Sequence, residues 1–286
     1  MSFAMFLKST FVIGLLESAP LMLAAVGFTL IYRLNGFINI GYAENATLGA
    51  YLAVTLNAIL GWNFYIAIIP AALFSGVLSV LTYLIVFRPA MKRGVGPTEM
   101  IILSVGVSFF LRYGISLIWG SRLYNFNLGK TDYLSLFGIG ITNTQLICLG
   151  LALVVAFGLY AFIYKTKMGE TMRALADNEE LAMISGINPV KVSVVVWFLS
   201  GLAGGLAGVF TGVFTWVNTG LGWHMILVIL LVAIIGRVGD VRGALIAGAG
   251  VGIITTAVTL VTQPAYGVVT LLVIFIVILK IRKVRA

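Results

Sequence analysis

Long apolar stretches recur along this chain of 286 residues, and they constrain its fold more than any other feature. A helix that crosses the hydrocarbon core of a bilayer needs about 20 mostly apolar residues. Residues 225–236 are too short to cross unaided, so they predict a half-helix or the end of a broken segment. The pattern predicts an all-α integral membrane protein, a polytopic bundle of eight or nine membrane segments. The candidate stretches are 11–32, 37–59, 64–87, 99–119, 146–164, 192–217, 225–236, 243–262 and 267–281.

The composition agrees with a membrane protein and excludes several other classes. Hydrophobic residues make up 61% of the chain and charged residues 9%, whereas soluble domains hold about 45–50% and about 25%. The net charge of +9 comes from few and scattered residues, so we expect no nucleic-acid partner. Because Cys148 and His224 are the single cysteine and histidine, no metal set and no convincing catalytic group can be assembled.

The basic residues predict the orientation in the membrane. If the C-terminus is cytoplasmic and the chain crosses nine times, most of the 18 Lys and Arg residues lie inside, and only Lys8, Arg122 and Lys130 lie outside. This bias predicts an extracytoplasmic N-terminus and a cytoplasmic C-terminus. The longest loops, 120–145 outside and 165–191 inside, are too short for a further domain. We therefore expect one transmembrane domain over residues 1–286.

Residues 39–51, with the sequence NIGYAENATLGAY, are the least apolar part of any predicted span. A carboxylate and two amides at membrane depth should face the protein interior, a water-filled cavity or a substrate. This favours a substrate pathway lined by a broken or unwound helix start. The alternative is that 39–45 form only the cytoplasmic mouth of the span. The candidate pathway residues are Asn39, Tyr42, Glu44, Asn45 and Thr47.

The fourth predicted span carries a polar stripe. Ser104, Ser108 and Arg112 are spaced by four residues and share one helix face. In lipid such a face turns toward other helices or a cavity, so Ser104 and Ser108 are further candidates for the pathway. The alternative is that the serines bond to backbone carbonyls of their own helix while Arg112 extends to the outer interface.

A smaller polar insertion lies in the outer half of the first predicted span. Pro20 removes a backbone donor and predicts a kink. The neighbouring Glu17 and Ser18 fit either an outer vestibule or an interfacial position.

Small residues at four-residue spacing populate two later spans. This spacing predicts close backbone approach between helices and a compact bundle, and it also fits a subunit interface. The residues are Gly201, Gly204, Gly205, Gly208 and Gly212 in the sixth span, and Ala244, Gly248 and Gly252 in the eighth.

The inside loop 165–191 predicts one short amphipathic helix over residues 170–184. Gly186 and then Pro189 are well placed to end it. Its acidic residues disfavour an anionic bilayer surface, so a protein partner is favoured. Its apolar set is Met172, Leu175, Leu181 and Ile184, and its acidic set is Asp177, Glu179 and Glu180.

Several blocks of sequence resemble the branched-chain and neutral amino-acid permeases of bacterial ABC importers. Glu180-Leu181-Ala182 followed by Gly186 resembles the EAA-type loop that docks into the ATPase subunit of such importers. The surrounding residues 168–188 and the 39–51 block are similar to family signatures, and 108–120 and 234–252 match further segments. The chain departs from the family pattern at Tyr42 and Ala43, which replace His or Gln and Gly. It also departs at 236–239, where Gly-Arg-Val-Gly replaces Gly-Gly-x-Gly.

The resemblance implies a permease that forms the pathway of an ATP-driven importer for branched-chain or other neutral amino acids by alternating access. It implies a bacterial-type inner membrane and four kinds of partner: lipid, a homologous second permease, two cytoplasmic ATPases and an extracytoplasmic solute-binding protein. ATP and Mg would bind to the ATPases, and this chain would bind no cofactor. The residues implied in ATPase coupling are Arg173, Asp177, Glu180, Leu181, Ala182 and Gly186.

Other functions remain open from the sequence. Within the same class, the cargo could be urea, a short amide, a sugar or another small polar solute. A stand-alone secondary transporter or channel, with Glu44 or Glu17 as its ion site, is a different class. A scaffold that transports nothing is the third, and the polar residues within the predicted spans argue against it.

Overall fold

The computed structural model describes residues 3–129, 133–136 and 138–284. Helices dominate these ranges, which confirms the prediction of an all-α polytopic membrane protein. Six of the helices in the described ranges are long and apolar enough to cross a membrane. They are Met5–Asn35, Phe64–Lys92, Pro97–Trp119, Asn143–Lys165, Pro189–Phe214 and Val241–Thr259.

The first half of the chain contains the segment with the candidate pathway residues, and this segment is broken into short pieces. A 3₁₀ turn at Ile40–Ala43 precedes its α-helix, and a π-helical turn at Thr55–Ile59 follows. The prediction of an irregular helix start is therefore confirmed. The helices here are α1 (Phe3–Asn35), α2 (Glu44–Val54), α3 (Phe64–Thr82), α4 (Arg88–Lys92) and α5 (Pro97–Trp119). A π-helical turn at Tyr83–Phe87 joins α3 to α4.

An antiparallel hairpin precedes the second half of the bundle. Its strands are β1 (Tyr133–Leu136) and β2 (Ile139–Thr142). The remaining helices are α6 (Asn143–Lys165), α7 (Lys167–Asp177), α8 (Glu179–Ile184), α9 (Pro189–Phe214), α10 (Leu221–Ile235), α11 (Val241–Thr259) and α12 (Pro264–Val284). With 15 residues, α10 is the segment that the sequence predicts to be too short to cross.

The inside loop holds two helices, so the prediction of one helix over 170–184 was wrong. The break lies at Asn178, whose backbone is extended. Its side-chain oxygen accepts a hydrogen bond from the Leu181 N–H at 2.9 Å and caps α8. Asparagine favours such caps because its side chain replaces a backbone partner. The loop therefore turns between α7 and α8.

Helix α9 is the centre of the bundle and packs against α1, α2 and α3. Its glycines allow this: a Cβ on Gly201 would lie 2.7 Å from the Ser75 carbonyl of α3, and one on Gly208 would lie 2.6 Å from the Ala46 Cα of α2. On α11, a Cβ on Gly252 would lie 2.8 Å from the Ser18 Cα of α1. The predicted close approach of helices is confirmed, and it occurs within this chain.

Candidate functional site

Glu44 is the first residue of α2, directly after the 3₁₀ turn, and its side chain is fully buried. Its Oε1 accepts a hydrogen bond from the Ser108 hydroxyl of α5 at 2.9 Å. Its Oε2 accepts one from the Thr47 hydroxyl at 2.9 Å. A buried carboxylate needs such donors, and the N-terminus of a helix favours negative charge. The site therefore holds a carboxylate whose two oxygens are both hydrogen-bonded.

Thr47 extends this network to α10. Its hydroxyl accepts a hydrogen bond from the Gly222 N–H at 3.0 Å while it donates to Glu44. A Cβ on Gly222 would lie 2.5 Å from the Thr47 Oγ1, so only glycine allows this approach. The Glu44 network therefore joins α2, α5 and α10.

Ser104 joins α5 to the 3₁₀ turn one helical turn away from Ser108. Its hydroxyl accepts from the Ile40 N–H at 3.0 Å and lies 2.7 Å from the Ile101 carbonyl, to which it donates. Ser104 therefore bonds to its own helix, as the alternative interpretation predicts, whereas Ser108 bonds to Glu44 of α2.

The other polar residues of the 39–51 stretch have different partners. The Tyr42 hydroxyl donates to the Ala24 carbonyl of α1 at 2.9 Å, and the Asn45 amide donates to the Tyr42 carbonyl at 3.0 Å. The Oδ1 of Asn39 is buried and has no hydrogen-bond partner within the described residues. A buried acceptor without a partner is rare in proteins. The hydroxyl of Tyr51, at the end of the stretch, is also buried without a partner in the described residues.

The seven predicted pathway residues are buried in this conformation, with exposed fractions of 5% or less. Glu44 bonds to Ser108 of α5 and to Thr47, which also bonds to α10. Ser104 of α5 bonds to the 3₁₀ turn, whereas Tyr42 and Asn45 bond elsewhere.

The structure also places two residues of α10 near this network that sequence reasoning did not link to it, Gly222 and Trp223. Arg112, the outermost residue of the polar stripe on α5, lies one turn beyond Ser108, and its guanidinium carbon is 5.7 Å from the ring centroid of Trp223. Gly222 and Trp223 belong to α10. Gly222 and Thr47 are 175 residues apart in the chain, so no local spacing could have linked them.

The polar residues Glu17 and Ser18 of the first predicted span lie where α1 packs against α11. Helix α1 continues through Pro20. Glu17 is exposed on this chain, and its Oε2 accepts from the Thr256 hydroxyl at 2.9 Å. Ser18 is buried and bonds to the Leu15 carbonyl of its own helix.

Two coupling residues predicted by the resemblance, Arg173 and Asp177, lie on α7. Met172 and Leu175, from the predicted apolar set, are buried against the bundle. The Arg173 guanidinium donates to the Ile163 carbonyl of α6, and its carbon lies 5.7 Å from the Tyr164 ring centroid. Arg173 therefore fastens α7 to the end of α6, while Asp177, at the end of α7, is exposed.

The larger apolar residues of α8 point away from the chain. Leu181 is 62% exposed and Ile184 83% exposed, and Glu180 is also exposed, whereas Ala182 is buried. The predicted apolar set is thus divided, because Met172 and Leu175 face inward and Leu181 and Ile184 face outward. Exposed apolar side chains on a short loop helix are typical of a protein contact.

Gly186 ends α8 as the sequence predicts. Its φ is +83°, a left-handed conformation that favours glycine. The Gly186 N–H donates to the Met183 carbonyl and the Ile187 N–H to the Ala182 carbonyl, both at 3.0 Å. These bonds satisfy carbonyls that would otherwise be free at the helix end.

The comparisons with known proteins decide the family. The family model described as "Branched-chain amino acid transport system / permease component" matches residues 10–279. The chain belongs to this permease family. The permease is 30% identical to the probable branched-chain amino acid transport permease protein LivH of Methanocaldococcus jannaschii, over 89% of this chain and 82% of the relative. It is 26% identical to the high-affinity branched-chain amino acid transport system permease protein BraD of Pseudomonas aeruginosa, over 84% and 82%.

A further relative is named for the import of a sugar. The ribose import permease protein RbsC of Escherichia coli is 26% identical over 62% of the permease and 53% of its own length. Family membership and the apolar helices make the permease a multi-pass protein of the inner membrane. The family is a transport component, so the permease is not expected to catalyse a reaction itself. Within the described residues, no group of three or more His, Cys, Asp or Glu residues could hold a metal.

Proposed function

We propose that the permease forms the translocation pathway of an ATP-driven importer for branched-chain or other neutral amino acids. The names of its relatives LivH and BraD support the cargo class. The observation that carries the proposal is the buried Glu44 carboxylate, held by hydroxyls from α2 and α5 next to the start of α10. Charged groups within membrane segments commonly serve transport.

The Glu44 network suits transient contact with an amino acid. If α5 moves away from α2, the carboxylate loses the Ser108 hydroxyl and gains room for a substrate ammonium group. One hydrogen bond replaces another, so the net change in free energy is small. Weak binding of this kind permits release on the other side of the membrane. Alternating access by relative movement of helices is the mechanism that we propose.

The exposed apolar face of α8 is the proposed contact for a cytoplasmic ATPase. Leu181 and Ile184 would enter the partner, with Glu180 and Asp177 at the edge of the contact. Arg173 holds α7 against the end of α6, so a push on α8 would reach the bundle through α7. The complete importer would contain a second permease, two ATPases that bind ATP and Mg, and an extracytoplasmic binding protein. This chain would bind no cofactor.

The test is ATP-dependent uptake of labelled leucine by the reconstituted complex in proteoliposomes. Glu44→Gln keeps the size of the side chain and removes its charge. We expect uptake to fall about tenfold, equal to about 1.4 kcal/mol, while the complex still assembles. Ser79→Ala is the control, because the Ser79 hydroxyl is buried without a partner in the described residues. Normal uptake by Glu44→Gln would remove the pathway role.

Two further readouts separate the competing functions. Uptake that needs an ion gradient and no ATPase would indicate a stand-alone secondary transporter. The similarity to a ribose permease favours a sugar as the second candidate cargo. Competition of leucine uptake by unlabelled ribose, urea or isoleucine identifies the cargo class, and we expect isoleucine to compete.

A further inference from the structure

A pocket of about 650 Å³ lies at the end of the bundle that the basic residues predict to be cytoplasmic. It is formed by the end of α1, the end of α6 and the turn between α10 and α11. Three arginines line it, together with two tyrosines and one acid. These residues are Arg33, Arg237, Arg242, Tyr32, Tyr164 and Asp240. The excess of positive charge indicates an anionic ligand.

The acid of the pocket is already engaged. One carboxylate oxygen of Asp240 accepts from the Arg242 backbone N–H at 3.0 Å and caps α11. The Tyr164 hydroxyl donates to the same oxygen at 3.5 Å. Asp240 thus serves the helix cap, and the three arginines leave the lining of the pocket with an excess of positive charge.

Arg237 adopts a backbone conformation that favours glycine. Its φ is +71°, and it is the one residue other than glycine with a positive φ in the described part of the chain. Such strain persists where the surrounding structure requires it, often at a binding site. The family pattern noted above has glycine at this position. This chain therefore has an arginine at position 237, although glycine would adopt the same backbone conformation with less strain.

Arg242 is held in place by aromatic rings. Its guanidinium carbon lies 4.9 Å from the centroid of Tyr164 and 5.3 Å from that of Tyr160. Contact with two rings restricts a long side chain to few orientations. A guanidinium held in this way suits phosphate, since its planar fork matches two phosphate oxygens.

We propose that this pocket binds the phosphate-bearing headgroup of an anionic phospholipid. The pocket lies at the ends of α1, α6 and α11, three of the helices that are apolar and long enough to cross the membrane, where headgroups are found. Tyrosines are typical of that level, and basic pockets between membrane helices recognise anionic headgroups. The site is separate from the Glu44 network and does not depend on the transported substrate.

The experiment uses the full-length chain in nanodiscs of phosphatidylcholine alone or of phosphatidylcholine with phosphatidylglycerol. Thermal unfolding and native mass spectrometry report stabilisation and retained lipid. We expect phosphatidylglycerol to raise the Tm of the unmodified chain and to be retained. Each lost arginine should weaken retention about fivefold. Arg237→Gly and Arg242→Gln are the variants, and the glycine also suits the backbone of position 237.

The control is Arg93→Gln, a basic residue on the same predicted side that lies outside the pocket. An equal loss in this control would overturn the proposal in favour of general surface charge. Stabilisation by inorganic phosphate to the same extent would overturn the lipid as the source of the phosphate. No effect of phosphatidylglycerol, together with loss of ATPase co-purification in the two pocket variants, would reassign the arginines to a protein contact.

Discussion

The hydroxyl of Ser108 on α5 donates a hydrogen bond of 2.9 Å to the carboxylate of Glu44, the first residue of α2. The two residues are 64 positions apart in the chain, and both are fully buried. The bond connects the irregular start of the second segment to the polar face of the fourth. It is the contact that must break if these helices separate to admit a substrate.

Ser108→Ala should lower the free energy of unfolding by about 1.5–3 kcal/mol, the usual contribution of a hydrogen bond to a charged group. The carboxylate stays buried and loses one of its donors. Denaturant unfolding in detergent measures the change. Ser79→Ala is the control and should change stability little, because the Ser79 hydroxyl has no partner in the described residues. Equal losses in the two variants would contradict the role of the bond.

Gly208→Ala should destabilise the bundle by about 1–3 kcal/mol, the range for overpacking. The added Cβ would lie 2.6 Å from the Ala46 Cα, so α9 and α2 would have to separate. Gly158→Ala on α6 is the matched control, since a Cβ there meets nothing within 4 Å. Thermal unfolding should show this control unchanged, or more stable by up to about 1 kcal/mol. A loss in both variants would argue against specific packing at Gly208.

Gly186→Pro should abolish association with the ATPase. Proline holds φ near about −65° and has no N–H, whereas Gly186 has a φ of +83° and donates to the Met183 carbonyl. The end of α8 would therefore unwind. Co-purification with the ATPase measures the effect. Ser185→Ala is the neighbouring control, and it removes only a hydroxyl bond to the Leu181 carbonyl. A normally assembled Gly186→Pro complex would exclude α8 as the docking element.

Ile184→Asp should leave the free energy of unfolding within about 0.5 kcal/mol of the unmodified chain, because the side chain is 83% exposed. Its effect should appear in the complex, as a loss of ATPase co-purification. Met172→Ala should do the opposite and lower stability by about 2–5 kcal/mol, since Met172 is buried. If Ile184→Asp unfolded the chain, or left the complex intact, the proposed division between inward α7 and outward α8 would be wrong.

The helices α7 and α8 of the inside loop were predicted only in part from the sequence. The 3.6-residue pattern predicts apolar residues on one side of a helix, and it does so for Met172 and Leu175. The same pattern continues to Leu181 and Ile184, but it contains no information about the turn at Asn178. The Asn178 side chain caps a new helix, α8, in place of a continuation of α7, and the second half of the loop therefore runs in another direction. Gly186 was predictable as a terminator because a left-handed residue is a local requirement.

The amino-acid sequence determined the class of this protein and the positions of its apolar segments, because burial in hydrocarbon acts on each stretch of about 20 residues independently. It also determined which helices could approach closely, since the absence of a Cβ is a property of each glycine alone. Tertiary structure decided which polar groups meet. Glu44, Ser108, Thr47 and Gly222 come from three helices, and the guanidiniums of Arg33, Arg237 and Arg242 come from two separate parts of the chain. Contacts between distant segments depend on how the helices pack, which no local pattern specifies.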